Sequence, residues 1–144
     1  NAATGFVIEG GEGTDSIVGG AGAESILGGA GSDTIGDGAL ADTIRGGQGG
    51  DSITLAVGDA VADLAYGDLG DDTIAIAAGD SGADTIFGGQ GNDSINVSVA
   101  TTGVNVSGDL GDDTILVSVN GGTEGSHTVS GGGGSDTFTV YLDN

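Results

Sequence analysis

The feature that most constrains this chain is a nine-residue unit, clearest in Gly88-Gly89-Gln90-Gly91-Asn92-Asp93-Ser94-Ile95-Asn96. Its glycines, its acid and its apolar residue stand at fixed places. The glycines let the backbone turn tightly through positive φ and leave carbonyl oxygens bare. The Asp in sixth position adds a hard oxygen of the kind that suits Ca²⁺. The Ile that follows begins a short strand and points inward. One unit is thus one turn and one strand, and two units make a full circuit of a solenoid.

The unit recurs along nearly the whole chain. Five copies run without a gap from Gly10, Gly19, Gly28, Asp37 and Gly46. Their sixth positions are Asp15, Glu24, Asp33, Asp42 and Asp51, and their apolar positions are Ile17, Ile26, Ile35, Ile44 and Ile53. After Thr54 a longer period takes over. Turns beginning at Gly10, Gly28, Gly46, Gly67, Gly88, Gly108 and Gly131 follow one another in steps of 18, 18, 21, 21, 20 and 23 residues. Each keeps its acid: Asp15, Asp33, Asp51, Asp72, Asp93, Asp113 and Asp136. These turns should stack into one column.

The opposite column starts at Gly19, Asp37, Gly58 and Gly79, with the acids Glu24, Asp42, Asp63 and Asp84. Its glycines are eroded, and further on it becomes Thr101-Thr102-Gly103 and then Asn120 to Gly125. This side should hold ions only in its first half, and weakly. As the motif decays the strands lengthen. Ile95, Val97 and Val99 alternate with Asn96 and Ser98, and Phe138, Val140 and Leu142 alternate with Thr139 and Tyr141. A period of two marks half-buried strands.

Composition closes off other classes. The chain has 144 residues, 34 of them Gly, and no Pro, so a collagen triple helix is excluded. Its 22 acids against one basic residue, Arg45, give a net charge of −21, which argues against nucleic acid and anionic membranes as partners. Such charge also opposes compaction unless cations neutralise it. No Cys is present, and no apolar run is long enough to suggest a membrane span. A lone Asp-Gly is explained by an Asx-turn, but seven stacked carboxylates would repel one another without cations.

This pattern resembles the RTX (repeats-in-toxin) family of secreted calcium-binding proteins, over roughly Gly10 to Thr139. The resemblance implies an all-β fold: a right-handed parallel β-roll of about seven coils with Ca²⁺ between successive Gly-rich turns. At ~4.8 Å per coil the rod would be about 34 Å long. The resemblance also implies type I secretion, with folding after export. Carried over, Asp15, Asp33, Asp51, Asp72, Asp93, Asp113 and Asp136 are the expected side-chain ligands. Carbonyls of the turns at Gly10, Gly28, Gly46, Gly67, Gly88, Gly108 and Gly131 supply others. Asp84 matches in the second column, whereas Glu24 departs from Asp. One solenoid domain is expected over 1–144, with regular repeats in 10–54 and longer coils in 55–144.

No catalytic constellation is expected. His127 is the only histidine and reads as an exposed loop residue, and no EF-hand string occurs. Neither a small-molecule substrate nor membrane insertion is anticipated. The apolar segments Phe6-Val7-Ile8 and Thr139-Val140-Tyr141-Leu142 carry no obvious cap. Open strand edges of this kind point to a homo-oligomer stacked head to tail, in an extracellular or cell-surface filament or layer. The rival expectation is a secretion and folding module, or a stalk segment, of a larger exported hydrolase, toxin or adhesin.

Overall fold

The computed structural model describes residues 5–55, 60–99, 103–120 and 125–143. Gly58, Thr101, Thr102 and Gly121 to Glu124 of the second column lie outside the described residues. The chain alternates between two sheets. β1 (Val7–Glu12) and β2 (Ser16–Val18) make the first coil, and β3 (Ser25–Ala30) and β4 (Thr34–Gly36) the second. β5 (Thr43–Gln48) and β6 (Ser52–Leu55), then β7 (Leu64–Leu69) and β8 (Thr73–Asp80), follow. β9 (Thr85–Gln90) with β10 (Ser94–Val99), β11 (Asn105–Leu110) with β12 (Thr114–Asn120), and β13 (Thr128–Gly133) with β14 (Thr137–Asp143) complete the series.

Odd strands form one seven-stranded sheet and even strands another, each in sequential order. Every strand pairs in parallel with the strand one coil away. About six full turns therefore separate the first coil from the last, in a parallel β-solenoid. The fold is all-β among the described residues.

Register is set by stacked apolar residues. In the even sheet Ile17, Ile35, Ile53, Ile74, Ile95, Ile115 and Phe138 stand directly above one another. In the odd sheet Ile8, Ile26, Ile44, Ala65, Ile86, Val106 and Val129 do the same. Ile26 through Ile115 are buried, and each buried Ile contributes roughly 1.5–3 kcal/mol. A one-residue slip would turn a whole row out to water, so the register is firmly specified.

The strand lengthening expected from the sequence is confined to the even sheet. β2 and β4 have 3 residues, whereas β8, β12 and β14 have 7 or 8; odd strands keep 6 throughout. The longer strands add a second buried row of Leu55, Ile76, Val97 and Val117. Two extra residues in β8 shift the register between Val97 and Val99. Insertions are thus absorbed on one side of the coil, and the turns after the odd strands stay stacked.

Candidate metal columns

The first column is a ladder of carboxylates. Oδ1 of Asp33 accepts the backbone N–H of Asp15, Asp51 that of Asp33, and Asp72 that of Asp51. Asp93, Asp113 and Asp136 continue it, over donor–acceptor distances of 2.7–3.0 Å along the ladder. One oxygen of each acid after Asp15 therefore ties its own coil to the coil before it.

The other oxygen is left over. Oδ2 of Asp15, Asp33, Asp51, Asp72, Asp93 and Asp113 is sealed from water and has no hydrogen-bond partner. It lies above the first glycine of its own turn. A Cβ on Gly28, Gly46, Gly67, Gly88 or Gly108 would collide with that Oδ2 and with the carbonyl oxygen of the first glycine one coil on. Glycine is required here because two oxygens crowd the space a side chain would fill. All seven expected aspartates and all seven expected glycines of this column are thus brought together, turn by turn, at the ends of the odd strands.

Burial makes four of these carboxylates, Asp51, Asp72, Asp93 and Asp113, hard to ionise. Desolvation pushes Asp72 up to about 7, reinforced by Asp93 and Asp51 on either side and opposed by the hydrogen bond to the Asp51 backbone. Asp93 is raised to about 6, again chiefly by desolvation, and Asp51 and Asp113 shift in the same direction for the same reason. The one arginine is spent elsewhere: Arg45 pairs with Asp68 at 2.8 Å on the outer surface. A file of buried carboxylates with no basic partner, facing glycine carbonyls, is an oxygen-only donor set. Hard divalent cations with flexible coordination, Ca²⁺ above all, fit it.

The second column is richer in acid than motif counting indicates. Glu24, Asp42 and Asp63 repeat the ladder, donating their N–H groups to Oδ1 of Asp42, Asp63 and Asp84 at 2.6–2.9 Å. Asp37, Asp42 and Asp63 are all buried, and one carboxylate oxygen from each lies within 4.8 Å of the others. Asp37 was not singled out from the sequence. The signal was there, as an acid in the place of the motif's first glycine. A second extra acid, Asp80, is fully buried beside Asp84, and Oδ2 of both lacks a hydrogen-bond partner. Desolvation, together with Asp80, raises Asp84 to about 8. Glu24 turns its longer side chain back to the N–H of Gly20 at 3.1 Å, capping its own turn.

One expectation needs correction. His127 is not an exposed loop side chain. It occupies the acid position of the second column, and its Nδ1 accepts the N–H of Val104 at 3.3 Å. Beside the ladder, the exposed acids Asp71 and Asp112 form an outer ladder of their own. Asp71 accepts the N–H of Asn92, Asn92 that of Asp112, and Asp112 that of Ser135, at 2.7–2.8 Å.

The geometry defines a parallel β-roll with cation-seeking turns. The RTX calcium-binding nonapeptide repeat family matches residues 7–35 and 76–98, in four copies. The chain thus carries RTX-type calcium-binding repeats in a parallel β-solenoid, and the unmatched stretches include those where the nine-residue spacing is broken by insertions. Comparisons with curated proteins and with solved structures return no match.

Proposed function

We propose that this chain is a non-catalytic structural element of an exported protein, folded by calcium and stacked end to end. The observation that carries the reading is the file of sealed, unpartnered Oδ2 atoms from Asp15 to Asp113. In this reading Asp15, Asp33, Asp51, Asp72, Asp93, Asp113 and Asp136 hold Ca²⁺ with carbonyls of their turn glycines. Asp84 with Asp80, and Asp37 with Asp42 and Asp63, hold further ions in the second column. Bound calcium supplies positive charge that lets these carboxylates stay ionised inside the roll. The chain's own part is to fix their spacing: the apolar rows set the register, and the register sets the ladder.

The RTX match supports export, because a ladder of this charge stays unfolded where calcium is scarce. End-to-end stacking is supported by the outermost strands. Among the described residues β1 and β2, and likewise β13 and β14, each pair on one side only. Phe6 and Val7 are 67% and 75% exposed at one end, and Val140 and Tyr141 are 58% and 59% exposed at the other. Edges with apolar side chains and free backbone groups take up a further parallel strand.

Sedimentation velocity with and without calcium tests this. Calcium should convert a slow, expanded monomer into compact units that grow into rods with protein concentration. A compact calcium-bound monomer at every concentration would refute stacking and leave the folding-module reading. No compaction with calcium would refute both.

A further inference from the structure

We propose that the outer face of the odd-strand sheet binds an unbranched, neutral β-1,4-linked glycan laid along the solenoid axis. A groove of about 660 Å³ runs there across the coils from Leu27 to Leu110. Its floor is bare where Gly29, Gly47 and Gly89 carry no side chain. One wall is the aromatic pair Tyr66 and Phe87, stacked with ring centroids 5.1 Å apart and planes within 10°. The facing wall reads Gln48, Leu69, Gln90, Leu110 in register.

The groove alternates. Its floor reads Gly47, Asp68, Gly89, Asp109, so amide-lined and carboxylate-lined coils take turns, and the floor and the facing wall repeat every two coils. At ~4.8 Å per coil that repeat is about 9.6 Å. A β-1,4-linked chain of pyranoses is straight and flat. It advances by close to one strand spacing per sugar and turns over between successive sugars, so it too presents the same face every two units. Leu69 and Leu110 suit its C–H patches, while Gln amides and Asp carboxylates suit its hydroxyls.

Two observations show that this surface is built. Asp68 and Asp109 both take φ of 73°, where the neighbouring coils use glycine. Left-handed backbone on a residue with a Cβ carries a strain that glycine avoids. Asp68 holds Arg45, whose guanidinium lies 4.2 Å from the Tyr66 ring centroid and fixes the aromatic wall. Asp109 accepts the Ser107 hydroxyl. Charge narrows the occupant: with the sole arginine engaged and two carboxylates on the floor, anionic polysaccharides are repelled.

Affinity electrophoresis of the whole chain in calcium tests the proposal. Gels would contain hydroxyethyl cellulose or glucomannan, with soluble starch and polygalacturonate as contrasts. Retardation by the neutral β-1,4 polymers alone is expected. Gln90→Ala, and Leu69→Glu combined with Leu110→Glu, should weaken it at least ten-fold while the calcium-induced circular dichroism is unchanged. These positions face outward, so the fold does not depend on them. No retardation, equal retardation by starch, retardation by polygalacturonate alone, or variants that bind like the native chain would each overturn it. Variants that abolish self-association without any glycan binding would overturn it too, and assign the face to a second copy.

Discussion

The N–H of Val104 donates to Nδ1 of His127 at 3.3 Å, where the three bonds below it in the same column end on an aspartate Oδ1. His127 thus supplies the acceptor in place of the ladder acid, after Val104 has made the column apolar. His127→Ala should leave a buried N–H unsatisfied and cost about 1–3 kcal/mol in urea unfolding at saturating calcium. His127→Asn, which restores an acceptor, should recover most of that loss. Equal stability of all three proteins would show that the bond contributes nothing.

Asp72 separates the two jobs of the ladder. Asp72→Asn keeps an oxygen for the Asp51 N–H but loses the charge; Asp72→Ala loses both. In calcium both variants should bind the ion at least ten-fold more weakly. In EDTA the order should split. The Asn variant becomes more stable than the native chain because a buried carboxylate is gone, and the Ala variant falls below the Asn variant by about 1–3 kcal/mol. Calcium titration reads the first effect, and unfolding in EDTA with enough sucrose or another excluded osmolyte to restore the calcium-free fold reads the second.

Acid should partly substitute for calcium. Burial raises Asp93 to about 6, Asp72 to about 7 and Asp84 to about 8, from 3.8. Between those limits the folded chain binds more protons than the unfolded chain, so its stability falls as pH rises through the window. The contribution is fully present below 3.8 and lost above about 8. Calcium-free protein should therefore gain β structure on acidification, and calcium should bind more tightly, with proton release, as pH rises. Calcium-free stability that increases from acid to neutral pH would be the opposite sign.

The two halves should differ in their need for calcium. The coils built on β2 and β4 bury one apolar row in the even sheet, whereas those built on β8, β10 and β12 bury two. At limiting calcium, hydrogen exchange should therefore open residues 16–36 before 94–119. Simultaneous loss of protection along the whole rod would mean that calcium, not the second row, sets local stability everywhere.

Much of this was legible in the sequence. Ile17 to Ile53 at a spacing of nine give the two inward rows directly, and the seven aspartates give the first column, because insertions after Thr54 fall on the other side of the coil. What was not legible depends on register across coils. His127 follows no motif and lies 23 residues from the residue it bonds, so only stacking reveals it as a ladder position. Asp37 stands at the first glycine position of its unit and Asp80 at the second of its own, and neither was read as a ligand, although burial places them beside Asp42 and Asp84. The pairing of Arg45 with Asp68 likewise needs the neighbouring coil.

Far-ultraviolet circular dichroism in EDTA at pH 7.5, followed by calcium addition, tests most directly whether the buried carboxylates require the ion. The chain should be largely unfolded in EDTA and should gain β signal in one steep transition as calcium is added. A full β signal in EDTA, unchanged by calcium, would contradict it, since the sealed Oδ2 atoms would then be tolerated without a cation.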